Sequence, residues 1–372
     1  MRWSIVVAVA LHGARVWAAC TDDQCSIDET ETSILDFDFV DSSTLTEPVA
    51  RVSGYSASSY SANNPNEDRF KVHIEKDTVF ASVLDGHGGW HVAEYVHSNL
   101  INNTKAELVS IAAQSDSDKD AAIASKLEAA FLRTDDDLKA LLLPTFELGF
   151  GQVNRVGACT MLAYLRGDTL IVANAGDVRA VLATKNESGH VVPHPLSTDN
   201  NAKHATEKAR LEEAHPNEDN IVVCKSGNAC YVKGGLQPTR ALGDFVFKDA
   251  AFNTFRGSKQ RGGGRFIPEP YTPPYVLALP EVQTHKLTSD DQFLILGSDG
   301  LWDDVSNEEA VELVQHFISL GQRDHASQAL VELVIAHTAA DYGVHASDIA
   351  ALEPGDRRQV HDDTTVVILF FT

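Results

Sequence analysis

The residues best suited to chemistry in this sequence are carboxylates that stand beside the ends of apolar, β-type runs. They occur next to five different runs and are Glu67, Asp68, Asp85, Asp177, Asp299, Asp362 and Asp363. A single aspartate at a strand end is an ordinary turn former, but repetition at several strand ends makes that explanation insufficient. Carboxylates that converge on one edge of a sheet repel one another unless cations neutralise them. Oxygen-only ligands favour Mg²⁺ or Mn²⁺ over zinc, so the pattern predicts a divalent-cation site.

The glycines beside Asp85 fit the same interpretation. Gly86, Gly88 and Gly89 allow the chain to turn sharply and to bring a backbone carbonyl oxygen close to a cation. Other glycine-rich sites are excluded by pattern, because the sequence has neither a GxxxxGK[ST] phosphate loop nor a GxGxxG after a strand. A GxSxG nucleophile turn is also missing from the sequence, which argues against a serine hydrolase.

Short strands and a few blocks of helix must position these carboxylates. Apolar β-type runs predict strands over 79–84, 161–165, 170–173, 293–296 and 366–371. Helical patterns cover 92–112, 121–143, 202–214, 308–320 and 326–340, and we expect Pro144 to end the second of them. Strands in hairpin-like pairs with helices gathered in blocks indicate an α+β sandwich rather than a βαβ repeat.

Composition excludes several classes of partner and fold. The 372 residues include 30 Lys and Arg against 53 Asp and Glu, a formal charge of −23 that argues against nucleic acid or an anionic membrane as the main partner. No apolar run reaches the roughly 20 residues that span a bilayer, so no transmembrane anchor is predicted. Five unevenly spaced cysteines without a CxxC pair predict neither a disulfide framework nor a zinc ribbon.

The N-terminal part differs from the rest of the chain. Residues 1–21 hold two arginines, a short apolar run and no acid, a pattern that fits a secretory signal peptide or a mitochondrial presequence. Residues 22–45 are acidic and rich in Ser and Thr, and are interpreted as a linker. We therefore expect the folded domain to occupy residues 46–372.

One segment inside that domain, 252–275, has no periodicity and is interpreted as an insertion loop. It contains a run of glycines, four prolines and the basic residues Arg256, Lys259, Arg261 and Arg265. On so acidic a protein this basic loop is either a contact site for a protein partner or a plain solvated loop.

Seven short motifs, in order, give the sequence a resemblance to a known family. They are Asn66-Glu67-Asp68-Arg69-Phe70, Leu84-Asp85-Gly86-His87-Gly88-Gly89, Gly157-Ala158-Cys159-Thr160, Asn174-Ala175-Gly176-Asp177-Val178-Arg179, Thr239-Arg240-Ala241-Leu242-Gly243-Asp244, Ser298-Asp299-Gly300-Leu301-Trp302-Asp303 and His361-Asp362-Asp363-Thr364-Thr365. From about Arg51 to Phe371 the chain resembles the metal-dependent type 2C (PPM) protein serine/threonine phosphatases. The fold that this resemblance implies is a four-layer α-β-β-α sandwich of two antiparallel sheets flanked by helices.

The resemblance also implies a mechanism and a set of site residues. It implies a binuclear Mg²⁺ or Mn²⁺ centre that activates water for attack on a phosphoserine or phosphothreonine of a protein substrate. Asp85 would bridge the ions, the Gly86 carbonyl, Asp299 and Asp362 would complete direct ligation, and Glu67 and Asp68 would act through water or directly. The matching general acid is His87, and Asp177 matches a weaker third metal site. Asp244 and Asp363 are expected to serve hydrogen bonding.

Details of the sequence resemble the pyruvate dehydrogenase phosphatase branch of the family, or related plant-type enzymes. They include Leu196-Ser197-Thr198-Asp199-Asn200-Asn201-Ala202 and the Pro-rich exit around Tyr271–Tyr275. Asn63 is a further detail shared with that branch. Many other members of the family carry an arginine at this position, and that arginine contacts the substrate phosphate. This branch would make the pyruvate dehydrogenase complex a substrate and the mitochondrion the compartment, whereas a signal peptide would make the protein a secreted signalling phosphatase. A catalytically inactive binding module is the other alternative, and retention of the ligand set argues against it.

Overall fold

The structure is a computed structural model, and it describes residues 7–11, 14–18, 33, 35–111, 119–225, 229–255 and 263–372. The strands of these ranges are β1 Val7–Leu11, β2 Ala14–Ala18, β3 Phe39–Val49, β4 Val52–Tyr60, β5 Arg69–Ile74, β6 Thr78–His87, β7 Gly157–Arg166, β8 Thr169–Ala175, β9 Arg179–Lys185, β10 Val191–Pro195, β11 Val222–Cys224, β12 Cys230–Val232, β13 Leu242–Gly243, β14 Glu281–Lys286, β15 Asp291–Gly297 and β16 Thr364–Phe371. The helices are α1 His91–Leu108, α2 Lys119–Glu147, α3 Ala205–Ala214, α4 Asp299–Trp302, α5 Asn307–Ser319, α6 Ala326–Tyr342 and α7 Ala346–Ala350.

Two six-stranded sheets form the centre of the fold. One has the strand order β10-β9-β15-β16-β4-β3, and the other has the order β14-β8-β7-β6-β5 with β13 paired to β7. Neighbouring strands are antiparallel in both sheets.

Alternating side chains bury both faces of each sheet. Along β6, Val79, Ala81 and Val83 point into the core between the sheets, and Phe80 and Leu84 point to the opposite face. This is the two-residue period of a strand that is covered on both sides. The same division runs along the central strands of the other sheet.

Helices cover the two outer faces. Side chains of α1 and α2 pack on the face of β6 and β7 that carries Phe80 and Leu162. On the other sheet, α5 and α6 pack against Phe293, Ile295 and Ile368 of β15 and β16. The predicted four-layer α-β-β-α sandwich is therefore confirmed.

A smaller unit, which we call the flap, lies beside the sandwich and has its own apolar core. It is built from α3, the β11–β12 hairpin and the segments 236–247 and 267–276, and its core includes Leu211, Val232 and Tyr275. A disulfide between Cys224 and Cys230 closes the hairpin. The cysteine count did not predict this bond, because one disulfide across a short hairpin needs no framework of paired spacings.

Two of the predicted boundaries are wrong. The segment predicted as a linker over 22–45 already belongs to the sheet from Phe39 onward, because β3 pairs with β4 as an edge strand and needs no apolar run. Pro144 does not end α2, which continues to Glu147. The proline removes only its own N–H from the helix, and its carbonyl still accepts from Leu148 N at 3.1 Å.

The insertion loop is only partly described, since 256–262 lies outside the described residues. Arg265 does not fit a solvated basic surface. Its guanidinium donates to the Lys233 carbonyl at 2.8 Å and lies 5.2 Å from the centre of the Phe247 ring. The expectation that Arg265 is available to a protein partner is therefore wrong, and Arg256, Lys259 and Arg261 lie in the part that is not described.

At the N-terminus, β1 and β2 pair with each other in a sheet of their own. The remaining residues of the predicted targeting segment, and 22–32 and 34 of the linker, lie outside the described ranges. Among the helices that the structure describes, none is both long and apolar enough to cross a membrane.

Candidate active site

The strand registers bring the predicted carboxylates to one end of the sandwich. Asp85 lies near the end of β6, two residues before His87, and the pairing of Arg69 with Leu84 puts Glu67 and Asp68 at the same end. In the other sheet Gly297 pairs with Val366, so Asp299 after β15 and Asp362 before β16 come together there. Asp177 lies in the turn from β8 to β9, which joins the two sheets.

The proximity of these groups is visible in their pKa values. Burial raises the pKa of Asp85 well above its usual range, and the charges of Asp299, Asp68, Asp177 and Asp362 raise it further. The pKa of Asp299 is raised well above normal for the same reasons. Without cations, this end of the sandwich is a place where carboxylates are hard to ionise together.

Glu67 and Asp68 belong to the same cluster. Burial raises the pKa of Asp68 strongly, and Asp363, Asp362 and Asp299 add to that rise while a hydrogen bond with Ser298 opposes it. Burial also raises the pKa of Glu67, and Asp363 is the next largest cause.

The donor set fits hard divalent cations. Asp68 Oδ2 is buried and has no hydrogen-bond partner among the described residues. A carboxylate oxygen of Asp85, one of Asp177 and Cys159 Sγ lie within 4.8 Å of one another. Buried, unpaired oxygens with raised carboxyl pKa values are what bound Mg²⁺ or Mn²⁺ would satisfy.

Gly86 allows the two acidic segments to approach closely. A Cβ atom at Gly86 would collide with the Glu67 carbonyl oxygen, so a larger residue would push the Glu67 segment away from β6.

Asp363 holds the Glu67 segment in place. Its Oδ1 accepts from the backbone N–H groups of Ala62 and Asn63 at 2.6 and 2.8 Å. Its Oδ2 accepts from Glu67 N at 2.7 Å and from Asn63 Nδ2 at 2.9 Å. The hydrogen-bonding role expected for Asp363 is present, and the Asn63 amide is committed to this carboxylate.

His87, the predicted general acid, is paired with Asp244. Its Nε2 lies 2.6 Å from Asp244 Oδ2, on a carboxylate that is fully buried. Burial alone would lower the pKa of His87, but the charge and hydrogen bond of Asp244 outweigh it, and Asp177 and Glu67 add to the rise. The net result is a raised pKa, which favours the protonated imidazolium that can donate a proton.

The backbone around this pair is specialised. Asp244 has a left-handed conformation with φ of 53°, and its N–H donates to the Val156 carbonyl at 2.9 Å. A Cβ at Gly157 would overlap both the Asp244 carboxylate and His87 Nε2. The sequence predicted hydrogen bonding for Asp244, but no spacing pattern could identify a partner 157 residues away.

Asp177 is held by a residue of the segment between β10 and α3. Asn201 Nδ2 donates to Asp177 Oδ2 at 2.7 Å, and both side chains are buried. Cys159 is a buried free thiol whose pKa is raised well above normal by burial and then by the charges of Asp177 and Asp85. A protonated thiol is unreactive, which agrees with a scheme that needs no cysteine nucleophile.

Comparison with known proteins assigns the chain to a family. A model of the protein phosphatase 2C family matches residues 50–343, and the chain belongs to that family. It is 32% identical over 326 residues to "Probable protein phosphatase 2C 38" of Arabidopsis thaliana, covering 85% of this chain and 80% of that protein. It is also 32% identical over 320 residues to "Probable protein phosphatase 2C 72" of Oryza sativa subsp. japonica, with 83% and 77% covered. The protein is accordingly a protein serine/threonine phosphatase.

Solved structures support the fold. The serine-threonine phosphatase 2C from Toxoplasma gondii superposes with a TM-score of 0.62 at 18% identity, over 89% of this chain and 99% of that one. A C. elegans sex determining protein superposes with a TM-score of 0.58, also at 18% identity, over 85% of this chain and 64% of that one.

Proposed function

We propose that the protein removes phosphate from phosphoserine and phosphothreonine with two Mg²⁺ or Mn²⁺ ions held in its carboxylate cleft. The observation that carries the proposal is the convergence of partly or fully buried acids whose pKa values are raised by one another's charges. Asp85, the Gly86 carbonyl, Asp299 and Asp362 would hold the pair of ions, with Glu67 and Asp68 supporting them. Asp177 would serve a third, weaker ion.

Bound ions of this kind polarise the phosphoryl group and acidify the attacking water. Residues of the chain itself donate the proton and hold Glu67 in position. His87, whose pKa is raised by the paired Asp244 carboxylate, donates a proton to the serine or threonine oxygen as it leaves. Asp363 keeps Glu67 at the cleft through the four hydrogen bonds that it accepts from residues 62–67.

The substrate protein is a separate part of the proposal. Motif resemblance alone supports the phosphorylated pyruvate dehydrogenase complex, which would place the protein in the mitochondrion. The Cys224–Cys230 disulfide favours the other candidate, a signalling phosphatase of an oxidising compartment, because disulfides persist there and are rare in reducing ones.

Two experiments test this proposal. Phosphoserine, phosphothreonine and phosphotyrosine peptides are incubated with the protein in Mn²⁺, in Mg²⁺ and in a chelator. Hydrolysis of the first two only when a metal is present is expected, whereas turnover that survives the chelator would contradict the metal centre. Fusing residues 1–25 to a reporter then decides between export and mitochondrial import, and import would remove the argument against the pyruvate dehydrogenase complex.

A further inference from the structure

The active-site cleft is strongly acidic, yet its substrate carries a phosphate dianion. Metal ions would offset part of the repulsion, but a protein cation at the rim is also expected to bind the phosphoryl oxygens. Asn63 cannot provide it, because the side chain is neutral and its amide is committed to Asp363 at 2.9 Å.

Two other arginines near the cleft are already engaged. Arg179 makes two bonds to Asp199 at 3.1 and 2.7 Å and one to Asn307 at 3.0 Å, and it lies over the Trp302 ring. Arg69 is bonded to Glu94 at 2.7 Å and to two backbone carbonyl oxygens. Both guanidinium groups are therefore occupied by these bonds and are poorly placed to bind a phosphoryl group.

Arg358 is different. Its guanidinium lies 2.7 Å from Asp362 Oδ2, and its side chain is 51% exposed. The charge of Arg358 opposes the rise in pKa that burial imposes on Asp362, and it also opposes the rise that burial and Asp363 impose on Glu67. The guanidinium therefore pairs with one carboxylate of the cleft and remains open to solvent.

The neighbouring residue fixes the backbone that carries Arg358. Arg357 is buried, donates to the carbonyls of Leu352, Ser61 and Ala350 at 2.7 to 3.1 Å, and lies over the Tyr60 ring. Arg358 thus projects from a short 3₁₀ turn, Arg357–Gln359, that is anchored to the sandwich. A long side chain on a rigid support loses less freedom when it binds a ligand.

We propose that Arg358 is a substrate-binding residue that clamps the phosphoryl oxygens, in place of a cationic side chain at position 63. The inference rests on the proposed function of this cleft. Among the described residues, the only ion pair of its guanidinium is the one with Asp362, and a guanidinium has five N–H donors. The remaining donors suit a phosphoryl group, which arginine binds with two parallel hydrogen bonds.

The test separates binding of phosphate from support of Asp362. Equilibrium binding of inorganic phosphate to the Mn²⁺-loaded protein is measured by calorimetry for wild type, Arg358→Gln, Arg358→Lys and Arg133→Gln. Arg133 is the matched control, since it is 48% exposed, has carboxylate neighbours and lies on α2 in the outer helical layer. Steady-state kinetics on a phosphothreonine peptide and thermal melting accompany each variant.

Loss of a hydrogen-bonded charge should weaken phosphate binding and raise KM about tenfold to a hundredfold in Arg358→Gln. Arg358→Lys should recover part of that loss, because it keeps the charge without the fork, and Arg133→Gln should match wild type. Unchanged phosphate affinity in Arg358→Gln at saturating Mn²⁺, with only the Mn²⁺ requirement increased, would overturn the inference and leave Arg358 a support for Asp362.

Lys203 is the competing cation, 39% exposed and 3.7 Å from Asp303 in a cavity that Asp177 and Asp299 also line. Weaker phosphate binding in Lys203→Gln but not in Arg358→Gln would also overturn the inference that Arg358 binds the phosphoryl group. If the wild type binds Mn²⁺ and phosphate but hydrolyses no phosphopeptide, the proposed function fails while the phosphate-binding result still decides the role of Arg358.

Discussion

His87 Nε2 and Asp244 Oδ2 lie 2.6 Å apart, joining a glycine-rich turn at the end of β6 to a buried aspartate 157 residues later in the chain. The Asp244 carboxylate outweighs the effect of burial and raises the pKa of His87. This pairing explains how an imidazole at the edge of an acidic cleft can be kept ready to donate a proton.

The role of the His87–Asp244 pair can be tested by comparing two substrates whose leaving groups differ in their need for a proton. Asp244→Asn should lower kcat on a phosphothreonine peptide by roughly a hundredfold, the lower end of what a general acid contributes. Turnover of p-nitrophenyl phosphate should change little, since its leaving group departs without a proton. Asp136→Asn, an exposed substitution on α2, is the control. Equal losses on both substrates would show that Asp244 acts on folding or metal binding instead.

Gly157 offers a second way to separate the pair. Gly157→Ala would place a Cβ against both the Asp244 carboxylate and His87 Nε2, and we expect the same selective loss of peptide turnover. Forcing an extra methyl group into a packed site also costs about 1–3 kcal/mol of stability. Kinetics of the double variant Gly157→Ala/Asp244→Asn should show little further loss, because both changes remove one interaction. Fully additive losses would indicate that the two residues act separately.

Stability should depend on pH in a way that reveals the carboxylate cluster. A carboxyl whose pKa is raised by folding binds its proton more tightly in the folded state. Its destabilising effect is therefore absent below the ordinary pKa of about 4 and grows as the pH rises through the raised value. In chelator, Asp85→Asn should melt at a higher temperature than wild type near neutral pH, and the difference should shrink toward acid.

Bound Mn²⁺ should reverse the order of the melting temperatures of wild type and Asp85→Asn. With saturating Mn²⁺ the wild type should gain more thermal stability than Asp85→Asn, because a ligand that binds only the folded state stabilises it. Melting curves at several pH values, with and without Mn²⁺, measure both effects. A wild type that melts above Asp85→Asn in chelator at neutral pH would contradict the electrostatic account.

Asp363 provides a test of how the Glu67 segment is held. Asp363→Ala removes the acceptor for the N–H groups of Ala62, Asn63 and Glu67. We expect the variant to bind Mn²⁺ more weakly, so that more Mn²⁺ is needed for half-maximal activity. Titration of activity against Mn²⁺ measures this, with kcat at saturating metal much less affected. A normal Mn²⁺ dependence would show that other contacts position Glu67.

Much of the fold followed from local pattern. The β6 run alternates between two buried faces, and the aspartates at strand ends converge because antiparallel registers return the chain to the same end. These are short-range signals, read from residue types and strand ends. The family motifs then indicated which carboxylates belong to the cleft.

The features that could not be predicted from the sequence depend mainly on contacts that a local pattern does not reveal. The partnership of His87 with Asp244 comes from the way two loops 157 residues apart pack on the sandwich, for which no periodicity exists. Arg265 was misread because charge alone predicts a solvated loop, while its guanidinium lies on Phe247. The edge strand β3 was missed because an exposed edge tolerates an acidic, Ser/Thr-rich sequence.

The central claim is that the clustered carboxylates hold the cations on which catalysis depends. Hydrolysis of a phosphothreonine peptide as a function of Mn²⁺, measured for wild type and for Asp299→Asn, tests it most directly. The account predicts activity that requires Mn²⁺ in wild type and is lost in Asp299→Asn at every Mn²⁺ concentration, in a protein that still folds. Metal-independent turnover by the wild type, or a fully active Asp299→Asn, would contradict it.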